Sequence, residues 1–265
     1  MAKVDDTWER GNPYERYIGR WSRRVAPAFL SWLGVPPDRD WLDVGCGTGA
    51  LCAAIVERCA PASVQGVEPS DGFLRTARAN LPAAVRLHAG DAAALPLPAA
   101  SVDVVVAALV LNFVPDLGAA LAEMRRVARP GATLAAYVWD YAGGMALIRR
   151  FWDAATDGDA DAAALDEGRR FPLCQPPALR AAFADAGLAD PQVSAIDIDT
   201  PFVDFDDYWQ PFLGGQGPAP AYLMSLDAGR REALAARLRH SLPRQADGSI
   251  ELQARAWAVR GINPS

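Results

Sequence analysis

The run Trp41-Leu-Asp-Val-Gly-Cys-Gly-Thr-Gly49 constrains this chain more than any other stretch. An apolar strand ends in a carboxylate, Asp43, and passes directly into three glycines at alternate positions, after which a helical pattern begins. Glycine adopts left-handed conformations freely and lets a ligand approach the main chain, so a Cβ at Gly45 or Gly47 is expected to fall in ligand space. The turn also aims the first amides of the next helix at that ligand.

The surrounding periodicity places this turn in a parallel sheet. Ser22 is expected to cap a helix carrying Val25, Phe29, Leu30 and Leu33 on one side, closed by Gly34 and Pro36. Strands are predicted at residues 40–44, 63–68, 84–87, 101–109 and 132–138, with intervening helices from Gly49 to Cys59, from Ser70 to Asn80 and from Asp116 to Ala128. The near-continuous apolar run of the fourth strand suits a central strand buried on both faces. Strands and helices alternating at this spacing give βαβ units. After Asp140 the regularity weakens. Helices are expected at Gly143–Thr156 and Pro177–Gly187, with a strand at Val193–Asp199. An insertion from Asp204 to Arg244 holds Trp209, the Gly214-Gly215-Gln216-Gly217-Pro218 stretch and a helix near Asp227–Ser241, and a last strand runs from Ile250 to Val259.

The predicted fold class is α/β, a Rossmann-like doubly wound, mostly parallel seven-stranded sheet with helical lid insertions. One domain is expected over residues 1–265: a lid segment at 1–35, a cofactor-binding core at 36–140, substrate-side helical insertions at 141–192 and 200–245, and the last strands at 193–199 and 250–261.

Composition narrows the partners. A formal charge of −6 argues against a nucleic-acid face, since affinity for phosphates needs clustered cations. The longest apolar run, Val104–Leu111, is far too short for a bilayer, and Met1–Arg10 is too polar for a signal peptide. Cys46, Cys52, Cys59 and Cys174 form no C-x-x-C pair and no zinc-like spacing with the histidines, so no metal is expected. A soluble cytoplasmic protein follows.

The cofactor has two contenders on the residues alone. Gly45-x-Gly47-x-x-Ala50 satisfies the dinucleotide fingerprint, and Glu68 lies near the spacing of a ribose-binding acid. Asp43, however, would sit just below a pyrophosphate. At ~6 Å and an effective dielectric of ~20, each like-charge pair costs roughly 3 kcal/mol. The cationic ammonium of S-adenosylmethionine would be attracted by about as much.

The motif LDVGCGTG, the acid in GVEPS, the segment AGDAAALP, the strand SVDVVVAALVLNF and the phrase EMRRVARPGATL resemble, in order and spacing, the landmarks of class I S-adenosylmethionine-dependent methyltransferases. The resemblance covers Trp41 to Val138. The N-terminal YERYIGRWS is similar to a segment of one bacterial subgroup that methylates small molecules. This resemblance implies an antiparallel last strand. It also implies that Gly45 and Gly47 pass under the methionine portion of the cofactor, with Asp43 bonding its ammonium. Glu68 would accept both ribose hydroxyls, Asp91 would bond the adenine amino group, and the Ala92 amide would read the adjacent ring nitrogen. The backbone of Leu109 would meet the methionine moiety, and S-adenosylhomocysteine would be the product.

Methyl transfer from a sulfonium is an in-line displacement that alignment alone accelerates, and a base is needed only where the acceptor stays protonated. His88, at the end of the third strand, and His240, on a late helix, are expected in surface or structural roles. Asn112 breaks the apolar run where the fourth strand ends and is expected to face the acceptor, the competing role being a turn ahead of Pro115-Asp116. Tyr17, Arg20 and Trp21 are expected in a segment folding over the cofactor, with Arg20 or Tyr17 meeting its carboxylate. Trp139, Trp152, Phe171, Trp209, Phe212 and Tyr222 are set either in the core or along a substrate pocket. Two other readings stay open at this level: an NAD(P)-dependent oxidoreductase and a non-catalytic S-adenosylmethionine-binding protein. The acceptor and its nucleophilic atom are not legible.

Overall fold

The structure, a computed structural model, describes residues 15–214 and 217–264. Residues 1–14 of the expected lid, and Gly215-Gln216 of the glycine-rich stretch, lie outside the described residues.

A π-helical turn, Glu15–Gly19, leads into α1 (Arg20–Leu33). The helix starts before Ser22, which is buried within it and not its cap. The preceding turn already supplies carbonyl acceptors for the first amides, so no capping side chain is required there. The expected face is the buried one, with Val25, Phe29, Leu30 and Leu33 all enclosed.

Five strands and three helices follow: β1 (Asp40–Val44), α2 (Ala50–Arg58), β2 (Ser63–Glu68), α3 (Asp71–Asn80), β3 (Arg86–Ala89), β4 (Val102–Ala108), α4 (Leu117–Val127) and β5 (Ala128–Trp139). Ser70 caps α3 by accepting from Phe73 N, and Asp116 caps α4 by accepting from Ala119 N, as their positions before the helical runs required. β3 begins two residues later than expected because Pro82 opens a turn, closed by Val85 N donating to Pro82 O at 3.0 Å.

The remaining elements are α5 (Ala146–Gly158), α6 (Glu167–Arg170), α7 (Pro176–Asp185), β6 (Ala189–Phe202), α8 (Phe205–Trp209), α9 (Pro218–Ser225), α10 (Ala228–Ser241) and β7 (Ile250–Ile262). α5 starts later than predicted because Gly143 and Gly144 belong to a turn. Asp140 closes that turn by accepting from Gly143 N at 3.1 Å through its side chain and from Met145 N at 2.8 Å through its carbonyl. A Cβ at Gly144 would stand 2.4 Å from Arg255 Cβ, so this tight turn requires glycine.

The sheet has seven strands in the order β3-β2-β1-β4-β5-β7-β6. The pairs β2–β3, β1–β2, β1–β4 and β4–β5 are parallel. β7 enters antiparallel, and just beyond it Gly131 N donates to Asn263 O while Asn263 N donates to Ala132 O. Placing β1 and β4 side by side, with β2 and β5 outside them, makes the β1–β4 boundary the point where strand order reverses. That is where α/β sheets open a crevice for ligands.

The described residues form two compact units. One contains residues 22–138, 175–196 and 257–264 and holds the parallel strands. Its core is built on Trp41, Leu42, Val105 and Leu134, with Phe29 packed 4.7 Å from Tyr137 between ring centroids. The other contains residues 15–21, 139–174 and 197–256 apart from 215–216. Aromatic packing holds it together: Phe151 and Phe212 stack at 4.6 Å, and the buried Tyr208 hydroxyl donates to Leu147 O at 3.0 Å. No described helix is long and apolar enough to cross a membrane.

Candidate functional site

In the sheet unit, β1 runs into the glycine turn with Gly45, Gly47 and Gly49 all left-handed, at φ of 70°, 55° and 91°. Their surroundings differ. A Cβ at Gly47 would meet nothing within 4 Å, as expected of a backbone facing ligand space. A Cβ at Gly45 would lie 2.6 Å from Val110 Cγ2, so the space beside Gly45 belongs to a protein side chain, contrary to the sequence expectation. Gly49 abuts Leu81 in the same way. The turn's amides are largely spent within the protein. Gly45 N and Cys46 N donate to Val67 O, and Gly49 N donates to Cys46 O.

Gly47 N donates to Glu68 Oε2 at 3.0 Å, and Ser70 N donates to Glu68 Oε1 at 2.9 Å. The end of β2 is therefore locked to the turn after β1, with the carboxylate buried and its pKa raised by desolvation against those two amide bonds. Asp43 is fully enclosed. Its Oδ2 accepts from the Cys52 thiol at 3.3 Å, while Oδ1 has no hydrogen-bond partner among the described residues. Burial pushes its carboxyl up to about 7, and the neighbouring Glu68 charge adds to the rise. An unpaired buried carboxylate oxygen is costly, so this atom fits a cationic donor from outside the chain.

Further along the strand ends, Asp91 is exposed and its Oδ1 accepts from Ala93 N at 2.8 Å, while Ala92 is half-buried. Leu109, following β4, holds a left-handed φ of 59° as a non-glycine residue while its amide donates to Tyr137 O. Strain of this kind concentrates at ligand sites. Asn112 sits in the 3-10 turn Leu111–Phe113 with both ends of its amide buried and unpartnered among the described residues. A turn-forming role would have produced a side-chain bond to the backbone, and Asp116 serves instead as the cap there. Asp43, Gly45, Gly47, Glu68, Asp91, Ala92, Leu109 and Asn112 thus share one unit.

Tyr17, Arg20 and Trp21 belong to the other unit. Arg20 Nη1 donates to Asp207 Oδ1 at 2.7 Å, and Tyr17 packs edge-on to Phe212 at 5.2 Å. Trp139, Trp152, Phe212 and Tyr222 are buried in this unit's aromatic core. His88 Nε2 pairs with Gln65 Oε1 at 3.1 Å and His240 is exposed. No group of three or more His, Cys, Asp or Glu side chains among the described residues is arranged to hold a metal.

Sequence reasoning passed over three residues. Gly66 lies opposite Asp43 in the β1–β2 ladder, and a Cβ there would stand 2.7 Å from Cys46 Sγ. A lone glycine inside a strand was the available signal. Glu167 is buried, accepts from the Trp152 indole, and is pushed by desolvation to about 7. Asp207 partners Arg20 across a sequence distance that no local pattern reveals.

Residues 42–136 match a family model described as a methyltransferase domain. The chain is 37% identical over 133 residues to malonyl-[acyl-carrier protein] O-methyltransferase of Methylococcus capsulatus, covering 49% of this chain and 47% of that protein. It is 42% identical over 112 residues to trans-aconitate 2-methyltransferase of Azoarcus sp., covering 42% of this chain and 44% of that one. The chain therefore spans about half the length of the curated relatives it matches. In fold it is similar to Haemonchus contortus phosphoethanolamine N-methyltransferase 2 in complex with S-adenosyl-L-methionine. The TM-score is 0.59 at 15% identity, over 96% of this chain and 57% of that one. Over residues 42–136 the chain is therefore similar to methyltransferase domains, and its seven-stranded sheet has the Rossmann-like fold of solved methyltransferase structures.

Proposed function

We propose that this protein transfers a methyl group from S-adenosylmethionine to a small organic acceptor in the cytoplasm. The observation that carries this reading is the unpaired, fully buried Asp43 Oδ1 under the glycine turn, next to a second buried acid, Glu68. A pyrophosphate at this turn would meet two carboxylates and amides that already donate to Val67 and Glu68. That argues against a dinucleotide and for a cofactor carrying a cation. When bound, S-adenosylmethionine supplies a methyl group on a cationic sulfur that departs as a neutral thioether.

In this reading Asp43 holds the ammonium, which favours its ionised form over the protonated one that burial alone promotes. The Gly45 and Gly47 backbone passes under the methionine portion, and the strained Leu109 backbone meets it from β4. Glu68 accepts the ribose hydroxyls with its remaining lone pairs, Asp91 accepts from the adenine amino group, and the Ala92 amide donates to the adjacent ring nitrogen. Asn112 offers an unsatisfied amide to the acceptor and orients it. Alignment then contributes most of the rate, and no general base is required for an acceptor already deprotonated.

Thermal unfolding with each ligand tests this. S-adenosylhomocysteine is expected to raise the melting temperature by several degrees, because a ligand bound only by the folded state stabilises it by mass action. Stabilisation by NADH without any by S-adenosylhomocysteine would overturn the reading.

A further inference from the structure

The Asp43 carboxylate is held through one oxygen. Its Oδ2 accepts from the Cys52 thiol at 3.3 Å, while the equally enclosed Oδ1 has no hydrogen-bond partner among the described residues. Cys52 lies in the first turn of α2 and is as deeply buried as Asp43.

A sulfur packed against a buried carboxylate needs room, and β2 provides it. Asp43 pairs with Gly66 in the parallel β1–β2 ladder, where paired positions share a face of the sheet. A Cβ on Gly66 would stand 2.7 Å from Cys46 Sγ, so glycine there leaves space for that sulfur. The Cys46 side chain is in turn hydrogen-bonded to Cys52. A thiol has one proton, and Cys52 spends its own on Asp43, so Cys46 is the donor in that second bond. A chain of bonds thus runs from Cys46 through Cys52 to the carboxylate.

The groups around Asp43 pull in opposite directions. Burial raises its carboxyl most, to about 7; the Cys52 thiol lowers it, the Glu68 charge from β2 raises it, and the Cys52 amide lowers it again. On the other side, β4 places the uncharged Val106 opposite Asp43. Its bond with Cys46, its burial and the Asp43 charge push the Cys52 thiol well above its ordinary pKa, so it keeps its proton and remains a donor.

We propose that Cys52 is the positioning residue for Asp43. Its thiol anchors Oδ2 and so fixes the plane of the carboxylate, leaving Oδ1 as the atom that receives the cofactor's ammonium. Cys46 and Gly66 keep the thiol in place. The proposal rests on the methyl-transfer reading, in which Asp43 holds that ammonium in its ionised form. Removing the thiol takes away a donor that favours ionisation, so binding then requires a higher pH.

Calorimetric titration of the full chain across pH tests this with S-adenosylhomocysteine and with 5′-methylthioadenosine, which lacks the amino-acid portion. Cys52→Ala and Cys52→Val lose the donor, Cys52→Ser keeps one, and a ligand-free melt of each confirms folding. All three retain the amide of residue 52 and therefore isolate the side chain. In the unsubstituted protein, affinity for S-adenosylhomocysteine should rise with pH through about 7 as Asp43 ionises. In Cys52→Ala and Cys52→Val that rise should move up by about one pH unit, which weakens S-adenosylhomocysteine about tenfold near ~pH 6 and much less near ~pH 8.5. Methylthioadenosine should bind as before, and Cys52→Ser should restore the profile. Titration of Glu68 does not produce this pattern, because both nucleosides carry the ribose and would shift together. An unmoved profile in folded variants without the donor, or equal weakening of both nucleosides, would overturn the proposal and leave the methyl-transfer reading standing. Binding of neither nucleoside by the unsubstituted protein would overturn both.

Discussion

Gly45 and Gly47 share a left-handed backbone and a motif, yet their substitutions should fail differently. Alanine at Gly47 has no steric neighbour, so it carries only the left-handed strain of about 1–2 kcal/mol. Its methyl group enters the space above the turn, and affinity for S-adenosylhomocysteine should fall about tenfold or more. Alanine at Gly45 adds a collision with Val110 and should lower stability by about 2–4 kcal/mol. Denaturant unfolding together with titration separates the two, and equal effects on folding and binding at both positions would contradict this division. Glu68→Gln keeps one acceptor for the Gly47 or Ser70 amide but removes the charge. It should cost about 1.5–3 kcal/mol of cofactor binding by calorimetry. The glycine spacing and the two acids were legible because backbone freedom and charge are local properties. Which glycine touched protein was not, since Val110 comes from a different strand end.

Elements with a full period of pattern were read closely. β1 and β2 fall at the residues expected, because an apolar run bounded by turn residues marks both ends of a buried strand. α6, α8 and α9 were absent from the reading, the first two being too short for a helical period to repeat and α9 (PAPAYLMS) being apolar on nearly every side. β5 extends back to Ala128, beyond its expected start, for a tertiary reason. The buried Asn263 donates Nδ2 to the carbonyls of Arg125, Ala128 and Arg129, and its Oδ1 accepts from Arg125 Nε. This single amide ties the α4–β5 junction to the residue following β7. Asn263→Ala should destabilise the protein by about 2–3 kcal/mol, since it leaves enclosed carbonyls without donors. A midpoint unchanged in urea would show that the junction holds without it.

Among the described residues of the molecule, Asp43 and Glu167 are fully enclosed acids, each pushed by desolvation to about 7. Both fold with a pKa above the unfolded value, so the folded state binds more protons in between. Their favourable contribution is complete below about 4, the ordinary carboxyl range, and is lost as pH rises through about 7. The ligand-free protein should therefore melt at lower temperature at pH 8 than at pH 5, and Asp43→Asn with Glu167→Gln should flatten that slope. A profile that rises over this interval, or keeps its slope in the double variant, would assign the charge burden elsewhere. Asp40 is held below its ordinary value by the Ser63 hydroxyl and then by Arg129, and Asp103 is held down against burial by the Asp40 amide and then by Arg129, so both act only at more acidic pH.

The sequence by itself determined the alternating strands and helices, the glycine turn and the acids at the strand ends, because periodicity, φ preference and charge are written into neighbouring residues. Only the tertiary structure decided that Asp43 keeps an unpaired oxygen, that Val110 occupies the space beside Gly45, and that Asp207 holds Arg20. Each of these depends on what lies across from a residue after the chain has folded. Desolvation and hydrogen-bond pairing are properties of that assembled neighbourhood and have no counterpart in local sequence.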